Sequence, residues 1–129
     1  MAINFKPIER GEPGVTGGGT KKFYAKIVYG PELNMDEMVK DIEKFSALSE
    51  PDIRGVLIAF ENKFQDGMAA GRIIRMEKLG TFYPSISSKG EEKAEDVSSA
   101  SIRDAGVNYH PGDRIIKAMK DGGFKKVSE

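Results

Sequence analysis

Residues 71–82, GRIIRMEKLGTF, and residues 107–120, VNYHPGDRIIKAMK, decide how this chain is read. Each holds a strand-like piece beside a Gly-containing turn. Between them, residues 87–101 (SSKGEEKAEDVSSAS) offer only Ala94, Val97 and Ala100 as apolar side chains. Such a stretch has no core of its own and is expected to be exposed. A strand, a long polar excursion and a returning strand describe a projecting two-stranded arm. The first strand is expected over 72–76, a turn over 77–80, and the second strand over 81–87, with Phe82 and Ile86 on one face. Residues 102–109 bring the strand back, with a bulge expected at Asp104-Ala105-Gly106. Pro111-Gly112 turns into a short helix, 113–120, whose Ile115, Ile116 and Met119 face inward. Gly122-Gly123 ends it, and Phe124 and Val127 dock the tail.

Upstream lie two helical patterns. Met35, Met38, Val39, Ile42 and Phe45 recur at helical spacing behind Asn34 or Asp36, either of which suits a cap. Ser49-Glu50-Pro51-Asp52 opens a second helix with N-cap chemistry and a first-turn proline. Its apolar face runs through Ile53, Val56, Leu57, Phe60, Phe64 and Met68 to about Ala70, and Gly71 is the expected stop. A helix-turn-helix reading needs a basic second helix for the major groove. This one carries Glu50, Asp52, Glu61 and Asp66 against Arg54 and Lys63, so it is read as a core or dimer helix.

The N-terminal third reads as a β-hairpin. NFKPIER (residues 4–10) is an edge strand, because Pro7 lacks a ladder donor. GEPGVTGGGT (residues 11–20) is a flexible linker, and KKFYAKIVY (residues 21–29) alternates as a strand does. Gly19-Thr20-Lys21 reverses the order of a phosphate-binding P-loop, and no helix follows it, which leaves the linker reading.

At 129 residues the chain has one-domain length. It has no Cys, which removes disulfides, thiolate metal sites and thiol nucleophiles. No apolar run is long enough for a signal peptide or a membrane span. Twenty Lys and Arg balance twenty Asp and Glu. A nucleic-acid binder usually carries a positive excess, so only a local basic surface could serve that role here. Residues 34–71 are net −4, while 1–33 and 72–129 are each net +2, which puts any basic face outside the two central helices. His110 is the only His, and nothing positions a catalytic set around it; no enzyme, cofactor or small-molecule substrate is expected. Glu91, Glu92, Glu95 and Asp96 lack the ligand spacing of a calcium loop, and no metal is expected.

The ordered set resembles the HU/IHF family of histone-like DNA-binding proteins over residues 34–120. Gly80-Thr81-Phe82 after two apolar helices, and Tyr109-His110-Pro111-Gly112 before the last helix, carry the resemblance. The N-terminal strands and Gly-rich loop resemble the extended HU-related proteins of Bacteroidetes. The resemblance implies an α+β, HU/IHF-like fold with two helices, an antiparallel sheet with a projecting β-arm, a short C-terminal helix and an N-terminal β-hairpin extension. It divides the chain into an extension at 1–33 and an HU-like domain at 34–129, one structural domain overall. It implies an intertwined homodimer that binds double-stranded DNA in the bacterial nucleoid and cytoplasm, largely without sequence preference, bending or condensing it. It places phosphate contacts on Arg72, Arg75, Lys78, Lys89, Lys93, Arg103, Arg114 and Lys117. Two departures stand out. The family's alternating arginines fall here on Ser85 and Ser87, and its basic, proline-bearing arm tip is replaced by an acidic segment without proline. An HU-like scaffold turned to protein interaction is the alternative that these departures leave open.

Overall fold

The computed structural model describes residues 1–12 and 14–128. The described chain is mixed α+β, with six strands, three helices and three short 3-10 turns. It forms two compact units, residues 34–115 and residues 1–33 with 116–129.

In the first of these units, α1 (Met35–Lys44) starts where local chemistry dictates. The Glu37 N–H donates to Asn34 Oδ1 at 3.0 Å, and Asp36 and Glu37 sit at the positive end of the helix dipole. The second helix, α2 (Glu50–Ala69), is capped by Ser49, whose Oγ accepts from the Asp52 N–H at 3.4 Å. Ser49→Ala should lower stability by about 1 kcal/mol in urea unfolding, with Ser49→Asp retaining the parent value. Val39 of α1 and Ile53 of α2 are the buried apolar side chains of the described chain, at 1% and 3% exposure. Arg54 of α2 pairs with Asp36 of α1.

Gly71 (φ 73°) turns the chain out of α2. Strands β3 (Ile74–Met76), β4 (Gly80–Ser88) and β5 (Ile102–Pro111) form an antiparallel sheet in that order. β3 begins at Ile74 and not at Arg72, because the Arg72 N–H closes the end of α2 on the Gly67 carbonyl at 3.0 Å. The register Ile74–Phe82–Tyr109 puts those three side chains on one face. That face meets α2: Phe82 contacts Phe64 edge-on at 4.9 Å and stacks on Tyr109 at 4.8 Å. Gly67 is the gap that admits β3, since a Cβ there would lie 2.9 Å from Ile74 Cδ1.

The two motif glycines meet at one backbone crossing. The Leu79 carbonyl accepts from the Gly112 N–H at 3.2 Å and from the Tyr109 hydroxyl at 2.6 Å. Gly80 adopts φ 125°, and a Cβ on it would lie 2.8 Å from Gly112 N. A Cβ on Gly112 would in turn meet the Lys78 carbonyl oxygen at 2.5 Å.

The β4–β5 ladder runs without interruption from Gly80–Pro111 to Ser87–Asp104 and then skips to Ser88–Ile102. The extra residue is Arg103, so the bulge lies there and not at Asp104-Ala105-Gly106. The tip explains the shift. The Lys89 N–H and Ser88 Oγ both donate to the Ser101 carbonyl, at 2.9 and 3.2 Å, which holds Ile102 opposite Ser88.

In the other unit, β1 (Ile3–Arg10) and β2 (Lys22–Val28) form the expected hairpin around the Gly-rich loop. Helix α3 (Asp113–Gly122) begins in residues 34–115 and continues into this unit; Gly123, at φ 78°, follows its end. A strand absent from the sequence reading, β6 (Phe124–Lys126), then joins β1 in parallel at Ile3–Phe5. β1 is therefore central over those residues, and not an edge strand throughout. Pro7 is tolerated for a register reason. The Phe5 carbonyl accepts from the Val127 N–H at 2.9 Å, so Pro7, two residues on, directs its donorless nitrogen to the same side, past the end of β6.

Candidate nucleic-acid interface

The sheet of residues 34–115 is two-faced. With Ile74, Phe82 and Tyr109 turned to α2, the register places Arg75, Thr81 and His110 in one row on the opposite face. Tyr83 with Asn108, Ser85 with Gly106, and Ser87 with Asp104 continue that face toward the tip. The Tyr83 and His110 rings meet edge-on at 5.0 Å. A Cβ on Gly106 would lie 3.2 Å from Ser85 Oγ, so the face is low relief at that point. The hydroxyls, amide, imidazole and guanidinium of this surface can donate hydrogen bonds to the oxygens of a phosphate backbone.

The tip is a closed loop. Ser101 is 1% exposed, its Oγ donates to a Glu91 carboxylate oxygen at 2.8 Å and accepts from the Ser98 N–H at 3.2 Å. Two 3-10 turns, Ala94–Asp96 and Ser99–Ser101, fold the second half of the excursion. The 87–101 stretch is thus mostly exposed as expected, but it folds on itself beyond Ser88 and does not extend as paired strand. A half-buried serine–carboxylate bond at this place has no signature in the local pattern.

The expected contact residues are scattered. Arg72 lies in the α2–β3 connection, lining a small cleft with Phe60, Lys63 and Ile73. Arg75 is on the polar sheet face, and Lys78 is in the β3–β4 turn. Lys89 and Lys93 are in the tip, where Lys89 Nζ lies 4.0 Å from the Glu91 carboxylate. Arg103 is the bulge residue. Arg114 opens α3, and Lys117, farther along it, pairs with Asp121 at 2.6 Å. Of the eight, the structure brings Arg75 together with Thr81 and His110, and Lys89 together with the acidic tip. Thr81, Tyr83 and Asn108 were missed as members of the polar face; strand parity across the Phe82–Tyr109 pair is the signal that finds them. Among the described residues no group of His, Asp or Glu is arranged to hold a metal ion.

A family model described as an HU domain fused to wHTH, Ig, or glycine-rich motif matches residues 1–126. The chain belongs to the HU-HIG family. The crystal structure of a candidate bacterial DNA binding protein from Bacteroides vulgatus is similar to it, with a TM-score of 0.69 and 12% sequence identity. That likeness covers 99% of the HU-HIG chain and 49% of the other protein, so the chain spans about half of its relative's length. At this identity the likeness is one of fold. No curated protein matches the chain. No helix among the described residues is long and apolar enough to cross a membrane.

Proposed function

We propose that this HU-HIG chain is a homodimeric, histone-like protein that binds double-stranded DNA through its backbone, as a nucleoid protein of the bacterial cytoplasm. The observation that carries the reading is the two-faced sheet on an HU domain: an apolar face spent on α2, and an open polar face centred on Arg75, Thr81 and His110. Arg72, Lys78, Lys93, Arg103 and Arg114 join Arg75 as phosphate contacts. Lys89 and Lys117, already beside carboxylates, contribute less.

Exposed apolar surface supports the dimer. Phe45 is 89% exposed and Val56 61% exposed, both on or beside the helices that the HU arrangement would pack against a second copy. Obligate dimer interfaces bury apolar side chains of this kind.

One observation favours a second reading. Residues 34–115 carry eleven basic and fifteen acidic residues, and the tip groups Glu91, Glu92, Glu95 and Asp96. An acidic unit would suit a protein-interaction module. Mobility shift of a short duplex, with the solution mass measured alongside, separates the two. The DNA reading expects a species of twice 14.2 kDa that shifts the duplex, and loss of the shift in R72E/R75E/K78E. A protein that leaves the duplex unshifted at low salt would overturn the DNA reading in favour of the interaction module.

A further inference from the structure

The charge of this chain is divided between its two units. Residues 1–33 with 116–129 hold nine basic and five acidic residues, net +4, against net −4 for residues 34–115. The β2-β1-β6 sheet concentrates that excess on one face. Its register is Asn4–Val28, Lys6–Lys26, Ile8–Tyr24 and Arg10–Lys22, with Lys125 of β6 beside Asn4. No strand position on this face is acidic. The opposite face is mostly apolar, with Ile3, Phe5, Ala25, Ile27 and Phe124 lining one shallow groove and Glu9 and Lys126 on the same face.

Two of the cross-strand pairs, Lys6–Lys26 and Arg10–Lys22, are like-charged. Like charges directly opposite on neighbouring strands destabilise a sheet, so folding stability gives no reason to place them there. Glu12 offsets part of the charge, its carboxylate 3.8 Å from Lys22 Nζ, yet the Lys22 side chain stays 61% exposed. Lys6 is itself engaged within the chain. Arg10, Lys26 and Lys125 are exposed. Side chains two apart on a strand stand about 7 Å apart, so this face presents a grid of cations with Tyr24 between its rows. A polyanion with closely spaced charges removes the mutual repulsion and releases its own counterions.

We infer that the basic face of the N-terminal sheet is a DNA-backbone contact surface in its own right, adding to the electrostatic affinity that residues 34–115 supply. The inference rests on the DNA-binding reading above. It assigns Lys26 and Lys125 as phosphate contacts, with Lys22, beside Glu12, contributing less.

The test is a salt series of duplex binding by the full chain, by K22Q/K26Q/K125Q, by R75Q/K78Q, and by the charge-retaining K22R/K26R/K125R. The neutral triple variant should flatten the log–log salt slope by about 2 and weaken binding by about a hundredfold near 0.1 M salt. R75Q/K78Q should also weaken binding, and the arginine triple should bind as the parent does. Parent-like affinity and slope in the neutral triple variant, with binding lost in R75Q/K78Q, overturns this inference and leaves the HU reading intact. Loss in the arginine triple as great as in the neutral one also overturns it, because the side chains would then act through structure and not charge. Unchanged duplex binding with lost binding of poly-L-glutamate overturns it in favour of an acidic protein partner. Failure of the parent protein to bind duplex at any salt removes both readings.

Discussion

Gly80→Ala should cost about 3–5 kcal/mol, a large fraction of the stability of a domain this size. Two separate costs add at this position. At φ 125° an alanine is strained by about 1–3 kcal/mol before it touches anything. Its Cβ would then lie 2.8 Å from Gly112 N and 2.9 Å from Pro111 Cα, and closer still to the His110 carbonyl oxygen. All three are backbone atoms of β5 and its exit into α3, so none can move away as a flexible side chain would. To relieve the overlap, the Leu79 carbonyl must release the Gly112 N–H and the Tyr109 hydroxyl. Tyr109 stacks on Phe82, so the damage spreads into the face packed on α2. Urea unfolding followed by far-UV circular dichroism measures the loss. Gly90→Ala is the matched control, since a Cβ there meets nothing within 4 Å and φ is not positive. A Gly80→Ala protein within about 1 kcal/mol of the parent would show that the crossing relaxes freely.

Raising salt fourfold, from about 50 to 200 mM, should weaken duplex binding at least a thousandfold. The estimate follows from six contacts. Of the eight cations assigned to phosphate, Lys89 and Lys117 lie beside Glu91 and Asp121. Arg72, Arg75, Lys78, Lys93, Arg103 and Arg114 remain. Each neutralised phosphate contributes a slope of about −0.9, and six give a slope near −5. Contacts from the N-terminal sheet would steepen it further. Fluorescence anisotropy of a labelled duplex over the salt series reads the slope directly. A shallow slope of about −1 would mean that the polar face and the arginines around it do not carry the binding.

Much of the fold could be read before any coordinates. Asn34 and Ser49 cap helices because a side-chain oxygen and an N–H three residues on are always neighbours in a first turn. The alternation of residues 21–29 places a strand because side chains repeat every two residues along it. Gly80-Thr81-Phe82 and Pro111-Gly112 mark turns through backbone preference alone. The candidate site was only partly legible. Its cations could be named, but a lysine beside a glutamate in space and a lysine open to solvent look alike in sequence, as Lys89 and Lys78 do. Arg103 was taken for a ladder residue; the bulge lands on it because Ser101 anchors the tip ten residues from Glu91.

By itself, then, the sequence determined the identity and order of the helices and the main strands. It also determined the family resemblance and the charge reversal at the tip, because each rests on neighbours within a few residues or on composition. Only the tertiary structure decided three things. Gly80 and Gly112 lie against one another, β6 pairs with β1 from the far end of the chain, and Lys6 and Arg10 of the first strand share one face with Lys125 of the last. The reason is physical. Pairing between distant segments depends on backbone register and close approach, and a three-residue strand such as FKK has no pattern of its own until a partner strand is beside it.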